Sequence, residues 1–158
     1  MSVDTSLFRQ VLGRFASGVT VVTMAHEGVA SGLTVSAFCS LSLNPSYILV
    51  CIDKRSSTLE LIRQSGSFVV NILSNEQSDL SNHFASKLTD KLSGIPHRIG
   101  SLGAPILDGT LAYLECSLVK EIDGGDHYIY IGEVQHTDLA EDKTPLLYYH
   151  GKYGQFAQ

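Results

Sequence analysis

Apolar and polar positions alternate along this chain in two rhythms, and most of the chain follows the shorter one. The first sixteen residues are the exception. After the capping cluster Asp4-Thr5-Ser6, the residues Leu7, Val11 and Phe15, with Phe8 and Leu12 beside them, recur at helical spacing. The pattern predicts a helix over roughly residues 6–16, ended by Gly18. Val19 to Met24 then reads as a strand, His26-Glu27-Gly28 as a hairpin turn and Val29 to Thr34 as the returning strand. In the next stretch, Thr34, Ser36, Ser40 and Ser42 point to one face of an extended chain and Leu33, Val35, Leu41 and Leu43 to the other. Asn44-Pro45 makes a bend. Tyr47 to Ile52 is apolar throughout, as in a strand covered on both faces.

Ser57 with Glu60 fits a Ser-x-x-Glu capping box, so a helix is expected with Leu59 and Ile62 facing inward and Gly66 at its C-terminal end. Phe68 to Leu73 predicts another strand. Ser74 with Gln77 fits a second capping box, opening a helix that carries Leu80 and Phe84 on one face. Ser86 to Pro105, rich in Gly and Pro, reads as an irregular surface excursion. Leu111 to Lys120 and Tyr128 to Val134 are long strands joined through Asp123-Gly124-Gly125-Asp126, and Pro145 to Tyr149 is a last short strand. Strands outnumber helices and most links are hairpin-like. The expected fold is therefore mainly β: a closed or partly closed antiparallel barrel in a single domain spanning residues 1–158, with helices at its edges.

Composition narrows the function classes. Hydrophobic content of 44% and charge of 17% belong to a globular chain long enough for a real core. No apolar run approaches the length of a membrane span and no basic-then-apolar leader opens the chain, so a soluble cytoplasmic protein without a membrane partner is expected. The net charge of −5, with eleven scattered basic residues, argues against nucleic acid. Cys39, Cys51 and Cys116 form no Cys-x-x-Cys pair, and the six histidines show no two at ligand spacing with a carboxylate, so no metal site is expected. All three cysteines lie in strand-like contexts and are expected as buried thiols.

Four stretches could carry chemistry. The small residues of 31–37 would let a flat ligand reach the backbone N–H and C=O groups, or they form an ordinary half-buried strand. Lys54-Arg55-Ser56-Ser57-Thr58 offers hydroxyls, charge and a helix start to a phosphate, or it is a cap beside two solvated basic residues. Gly124-Gly125-Asp126-His127 puts a histidine at a strand mouth, to orient a cofactor or move a proton, unless it is an idle turn histidine. Tyr148 to Tyr153 could stack on a ring or simply dock on the core. No nucleophile with a paired base stands out, so this is not a hydrolase sequence.

Taken in order, Phe8-Arg9 with Phe15 to Thr23, Thr34 to Pro45, Gly125-Asp126-His127 with Ile131 to Val134, Pro145 to Tyr148 and Gly151-Lys152-Tyr153 resemble the short-chain flavin reductase family. These are the small reductase components of two-component flavin-dependent monooxygenases. The resemblance spans nearly the whole chain. It implies an FMN-binding-like split barrel, a homodimer with flavin sites near the subunit interface, and NAD(P)H-dependent reduction of FMN or FAD. It also implies a monooxygenase partner that receives the reduced flavin. Carried over by position, Gly32, Leu33, Thr34, Val35, Ser36 and Ala37 would lie along the isoalloxazine ring. Asp53, Lys54, Ser56, Ser57 and Thr58 would hold the ribityl phosphate. Ser81, Asn82, Phe84 and Ala85 would border the flavin tail. Asp126 and His127, with Tyr148, Gly151 and Tyr153 near, would seat the nicotinamide, and His127 would be the catalytic side chain. Two other readings of the same resemblance are a flavin-bound reductase of a ferric or cobalt complex and a non-enzymatic flavin-binding protein. The absence of an Arg cluster for a 2′-phosphate favours NADH.

Overall fold

The computed structural model describes residues 2–157. Its elements run α1 (Thr5–Leu12), β1 (Ser17–Gly18), β2 (Thr20–His26), β3 (Val29–Val35), β4 (Phe38–Leu43), β5 (Ser46–Asp53), α2 (Leu59–Ser65), β6 (Ser67–Ile72), α3 (Ser78–Ala85), β7 (His97–Ile99), β8 (Pro105–Leu107), β9 (Ala112–Gly124), β10 (His127–Leu139), β11 (Leu146–Tyr149) and β12 (Lys152–Gln155). Seven strands form one antiparallel sheet in the order β3-β2-β6-β9-β10-β5-β4. β1, β11 and β12 form a small second sheet, and β7 pairs with β8. No described helix is long and apolar enough to cross a membrane.

The sheet is not a closed barrel, because among the described residues no backbone pairing joins its edge strands β3 and β4. These two edges are nonetheless consecutive in the chain, linked only by Ser36 and Ala37. A linker that short spans about 10 Å, so the sheet must curl until its edges meet at a slit. Inside the curl, Val22, Met24, Val50, Ile52, Phe68 and Val70 pack with Ile62 from α2. The alternation of β5 is therefore one-sided. Ile48, Val50 and Ile52 are buried, while Tyr47, Leu49 and Cys51 on the other face are only half-covered. β2 and β6 are buried on both faces, because Val21 packs outward with Leu73, Phe84 and Leu146, and Val69 with Ala104 and Ile106. In β10 the side-chain-free Gly132 admits the core: a Cβ there would sit 2.6 Å from the Phe68 ring.

Several local expectations shift. The first helix ends at Leu12, not near residue 16. Asp4 Oδ1 caps it by accepting from Leu7 N at 2.7 Å, and Gly13 caps the other end, with its carbonyl taken by His150 N. The strand pairing of Ser17–Gly18 with Leu147–Tyr148 then draws the chain away from the helix axis. The single polar face expected from Thr34 to Ser42 is broken by the chain turn at 36–37 and by a register shift between Ser40 and Ser42. The Ser57–Glu60 box does not form, since α2 is capped at Thr58 without a side-chain bond, although Gly66 does take the left-handed C-terminal position (φ 63°). Only half of the Ser74–Gln77 box forms: Gln77 Oε1 accepts from Ser74 N, while the Ser74 hydroxyl donates to Gly109 O. Residues 86–105 run mostly over the surface, as expected, but the segment is pinned to the core at a few points. Lys91, Leu92, Ala104 and Ile106 are buried, and Thr23 Oγ1 donates to Pro105 O while Leu107 N donates to Asn71 Oδ1. Buried β2 and β6 carry these polar side chains, and their hydrogen bonds need the returning loop. The cysteines are not uniformly buried either. Cys39 is exposed on edge strand β4, Cys51 is intermediate, and only Cys116 is in the core, where burial pushes its thiol up to about 12. The last strand is a hairpin, with β12 paired to β11.

Candidate functional site

The slit side of the molecule carries an open cleft of about 890 Å³ between β3, the start of α2 and the end of α3 with its following loop. A smaller hollow of about 210 Å³ adjoins it, sharing Thr34 and Ala85, and is bounded by Ser36, Ser81, Tyr148 and Tyr153. Neighbouring strands explain the convergence. β2 pairs with both β3 and β6, and the end of β6 delivers α3 onto the outer face of β3.

One chain of hydrogen bonds holds this wall. Thr34 Oγ1 donates to Ser81 O at 2.6 Å. The Ser81 hydroxyl, fully buried, lies 2.7 Å from Tyr153 Oη, and Tyr153 donates to Asn82 Oδ1 at 3.0 Å. Tyr148 tilts against Tyr153 with ring centroids 5.7 Å apart. Phe84 is fully buried behind the wall. A Cβ on Gly32 would meet the Phe84 ring at 3.1 Å and Val22 O at 3.0 Å, so the close approach of β3 to α3 leaves little room for a side chain there.

Ten of the sequence-predicted residues are gathered along the two hollows: Leu33, Thr34, Ser36, Ser56, Ser57, Ser81, Phe84, Ala85, Tyr148 and Tyr153. Others support them from behind or beside. Gly32 and Thr58 are buried, Val35 belongs to the core, and Asn82 holds Tyr153. Thr58 Oγ1 pairs with Ser56 Oγ at 2.8 Å. Ala37 lies in the turn between β3 and β4, where its carbonyl accepts from Cys51 N. Gly151, at φ 75°, turns the β11–β12 hairpin.

Asp53, Lys54, Asp126 and His127 line neither hollow. They meet instead at an exposed corner, because β5 and β10 pair with Asp53 opposite His127. Lys54 N donates to Asp126 O, and Lys54 Nζ lies 2.7 Å from Asp123. Asp53 grips Arg55 through both carboxylate oxygens. His127 Nδ1 lies 2.7 Å from Asp126 Oδ1. These bonds set the charges: the Arg55 guanidinium holds the Asp53 carboxyl far below the usual range, Lys54 lowers Asp123, and His127 lowers Asp126. Of the two adjacent basic residues, it is Arg55 that borders the large cleft, whereas Lys54 turns to Asp123.

Sequence reasoning missed the far wall of the cleft, formed by Glu60 and Gln64 of α2 and by Lys87, Thr89 and Lys91 after α3. The spacing of Lys87 and Lys91 was the available signal, but no periodic pattern marked the segment as ordered. No three described His, Cys, Asp or Glu side chains gather as a metal site.

The cleft lies within the usual range of ligand sites, about 300–1,000 Å³. Its hydroxyls, exposed strand edge and lining cations fit a flat, phosphate-bearing cofactor such as a flavin nucleotide. The family model for the flavin reductase like domain matches residues 12–157. The reductase subunit HsaB of a flavin-dependent monooxygenase from Mycobacterium tuberculosis is 42% identical over 153 residues, covering 96% of this chain and 82% of that protein. The solved structure of flavin reductase PheA2 in its native state is 42% identical and superposes with a TM-score of 0.92, covering 99% of this chain and all of that one. The Streptomyces globisporus NADH:FAD oxidoreductase SgcE6, solved with NAD and FAD fragments, is 32% identical with a TM-score of 0.93, covering 99% of this chain and 97% of that one. This chain belongs to the flavin reductase like family and is an oxidoreductase.

Proposed function

We propose that the chain reduces FMN or FAD with NADH and hands the reduced flavin to a partner monooxygenase. The observation that carries this reading is the cleft wall: a strand edge of small residues, braced by the Thr34–Ser81–Tyr153 hydrogen bonds, beside a hydroxyl and cation cluster. Bound flavin would supply the hydride-accepting chemistry, and the protein's task is to bind and orient. Gly32 to Ala37 present backbone N–H and C=O groups to the ring. Ser56 and Ser57, with Arg55, face the phosphate end. Tyr148 and Tyr153 cover the nicotinamide side and exclude water. His127, polarised by Asp126, steers the nicotinamide nucleotide from the rim. Holding two reactants in register removes the orientational entropy of their encounter, so few reactive side chains are needed.

The working unit is a homodimer on an FMN-binding-like split barrel. In support, α1 has no buried residue: Leu7, Phe8, Val11 and Leu12 are each more than half exposed, Phe15 is 83% exposed and Leu43 on edge strand β4 is 94% exposed. An apolar helix face left in water has no reason to persist, and a second copy is the cover that the resemblance implies.

The deciding experiment is anaerobic stopped-flow reduction of FMN and of FAD by NADH, following flavin absorbance. Rapid, saturable bleaching is expected, and the better-bound flavin identifies the cofactor. Bleaching no faster than free flavin with NADH would leave a flavin-binding protein and overturn the reading.

A further inference from the structure

The loop after α3 puts a buried cation at the wall of the large cleft. Lys91 is 8% exposed, and its Nζ donates to Phe84 O at 2.9 Å. Phe84 itself, with Ala85, Ser86 and Lys87 after it, lines the same cleft as Lys91. The bond caps a carbonyl at the end of α3, where a positive group is favoured. Capping alone accounts for one N–H. An ammonium has three, and no other hydrogen bond or carboxylate reaches this one among the described residues. Burial accordingly lowers the affinity of Lys91 for its proton. Its neighbours do not neutralise it. Arg55 is already held by Asp53, Lys87 is exposed, and the carboxylate of the cleft, Glu60, is engaged by Gln64 and faces Arg63. A buried charge without a counter-charge is costly, and a neutral donor would cap the helix as well. The N–H groups that Phe84 O does not take are therefore free to meet an anion entering the cleft.

We infer that Lys91 is a binding residue for a phosphate group of the cofactor that occupies this cleft. The inference rests on the flavin reading above and extends it to a segment that no sequence pattern marked. The phosphate belongs either to the flavin or to the nicotinamide nucleotide, and both present the same chemistry.

The test compares the wild type with Lys91→Met, which keeps the length and removes the charge, and with Lys91→Arg, which keeps the charge. Dissociation constants for FMN, FAD and riboflavin are read from flavin fluorescence, and KM for NADH is measured with riboflavin as acceptor. Lys91→Met is expected to weaken FMN and FAD by about tenfold or more while leaving riboflavin unchanged, with partial recovery in Lys91→Arg. A raised KM for NADH with unchanged flavin affinities would place the phosphate on the nicotinamide nucleotide. Equal loss of FMN and riboflavin, or no loss in any arm, overturns the inference. Should Lys91→Met fail to fold, the Lys91 13Cε resonance of the wild type is titrated with pH. FMN or NADH, but not riboflavin, should raise the apparent pKa; a riboflavin effect equal to theirs overturns it. NADH oxidation with riboflavin by the wild type checks the flavin reading separately, because riboflavin carries no phosphate.

Discussion

The wall formed by β3, α3 and the β11–β12 hairpin holds its polar groups in neutral hydrogen bonds backed by a fully buried phenylalanine. The corner where β5 meets the β9–β10 turn holds its polar groups as exposed ion pairs. The first is preorganised by packing and neutral hydrogen bonds, so its geometry depends little on salt. The second is set by charges in water, which salt screens and which contribute little to stability. A binding surface and a steering rim call for these two constructions: the wall should resist change and answer to volume and hydroxyls, and the corner should tolerate change and answer to salt and pH.

The largest effect is expected from Phe84→Ala. It empties the space behind Gly32 and Thr34, and should cost about 3–5 kcal/mol in urea denaturation and strip flavin binding. A loss under about 1 kcal/mol would mean that the wall is not packing-determined. Next comes Tyr153→Phe, which removes the hydroxyl between Ser81 and Asn82 and should cost about 1 kcal/mol, with flavin affinity reduced a few fold by fluorescence titration. His127→Ala should leave the denaturation midpoint and flavin affinity nearly unchanged while slowing reduction or raising KM for NADH. An unaltered reductive half-reaction would remove the role assigned to His127.

The smallest effect belongs to Lys54→Ala, whose partner Asp123 is mostly exposed. Its Tm shift should be smaller than that of Tyr153→Phe and vanish near 1 M salt, where the Debye length is about 3 Å. The corner carboxylates Asp53, Asp123 and Asp126 all have lowered pKa values, so their contribution is present above the ordinary carboxylate range near pH 4 and is lost as pH falls through their lower folded values. Acidification should therefore loosen the corner before the wall, seen as faster amide exchange at residues 53–55 and 126–127 while 33–34 and 81–84 stay protected. Simultaneous loss in both regions would erase the distinction.

Local pattern made much of this legible. The β2–β3 and β9–β10 hairpins follow from their turn residues, and Gly66 ends α2 because only a left-handed residue closes that turn. The hydroxyls of β3 and the serines before α2 were visible as candidate ligand contacts. The failures share a cause. Phe15 fits the helical stripe of α1, yet Gly13 gives its carbonyl to His150, a residue far along the chain. Ser57 fits a capping box, but the hydroxyl that takes part there is Ser56, paired with Thr58. Lys91 sits in a stretch without periodicity, and its burial arises from contact with the end of α3.

By itself, the sequence determined the β-rich class, the main hairpins, the family and the residue types suited to a flavin, because each depends on periodicity, turn chemistry or ordered motifs within short spans. Only the tertiary structure decided that the sheet curls to an unpaired slit, that Arg55 and not Lys54 borders the cleft, that His127 stands at an exposed corner, and that Lys91 is buried at the cleft wall. Those outcomes depend on which distant strands pair and which charges find partners, and such pairings are chosen by packing and desolvation across the whole fold.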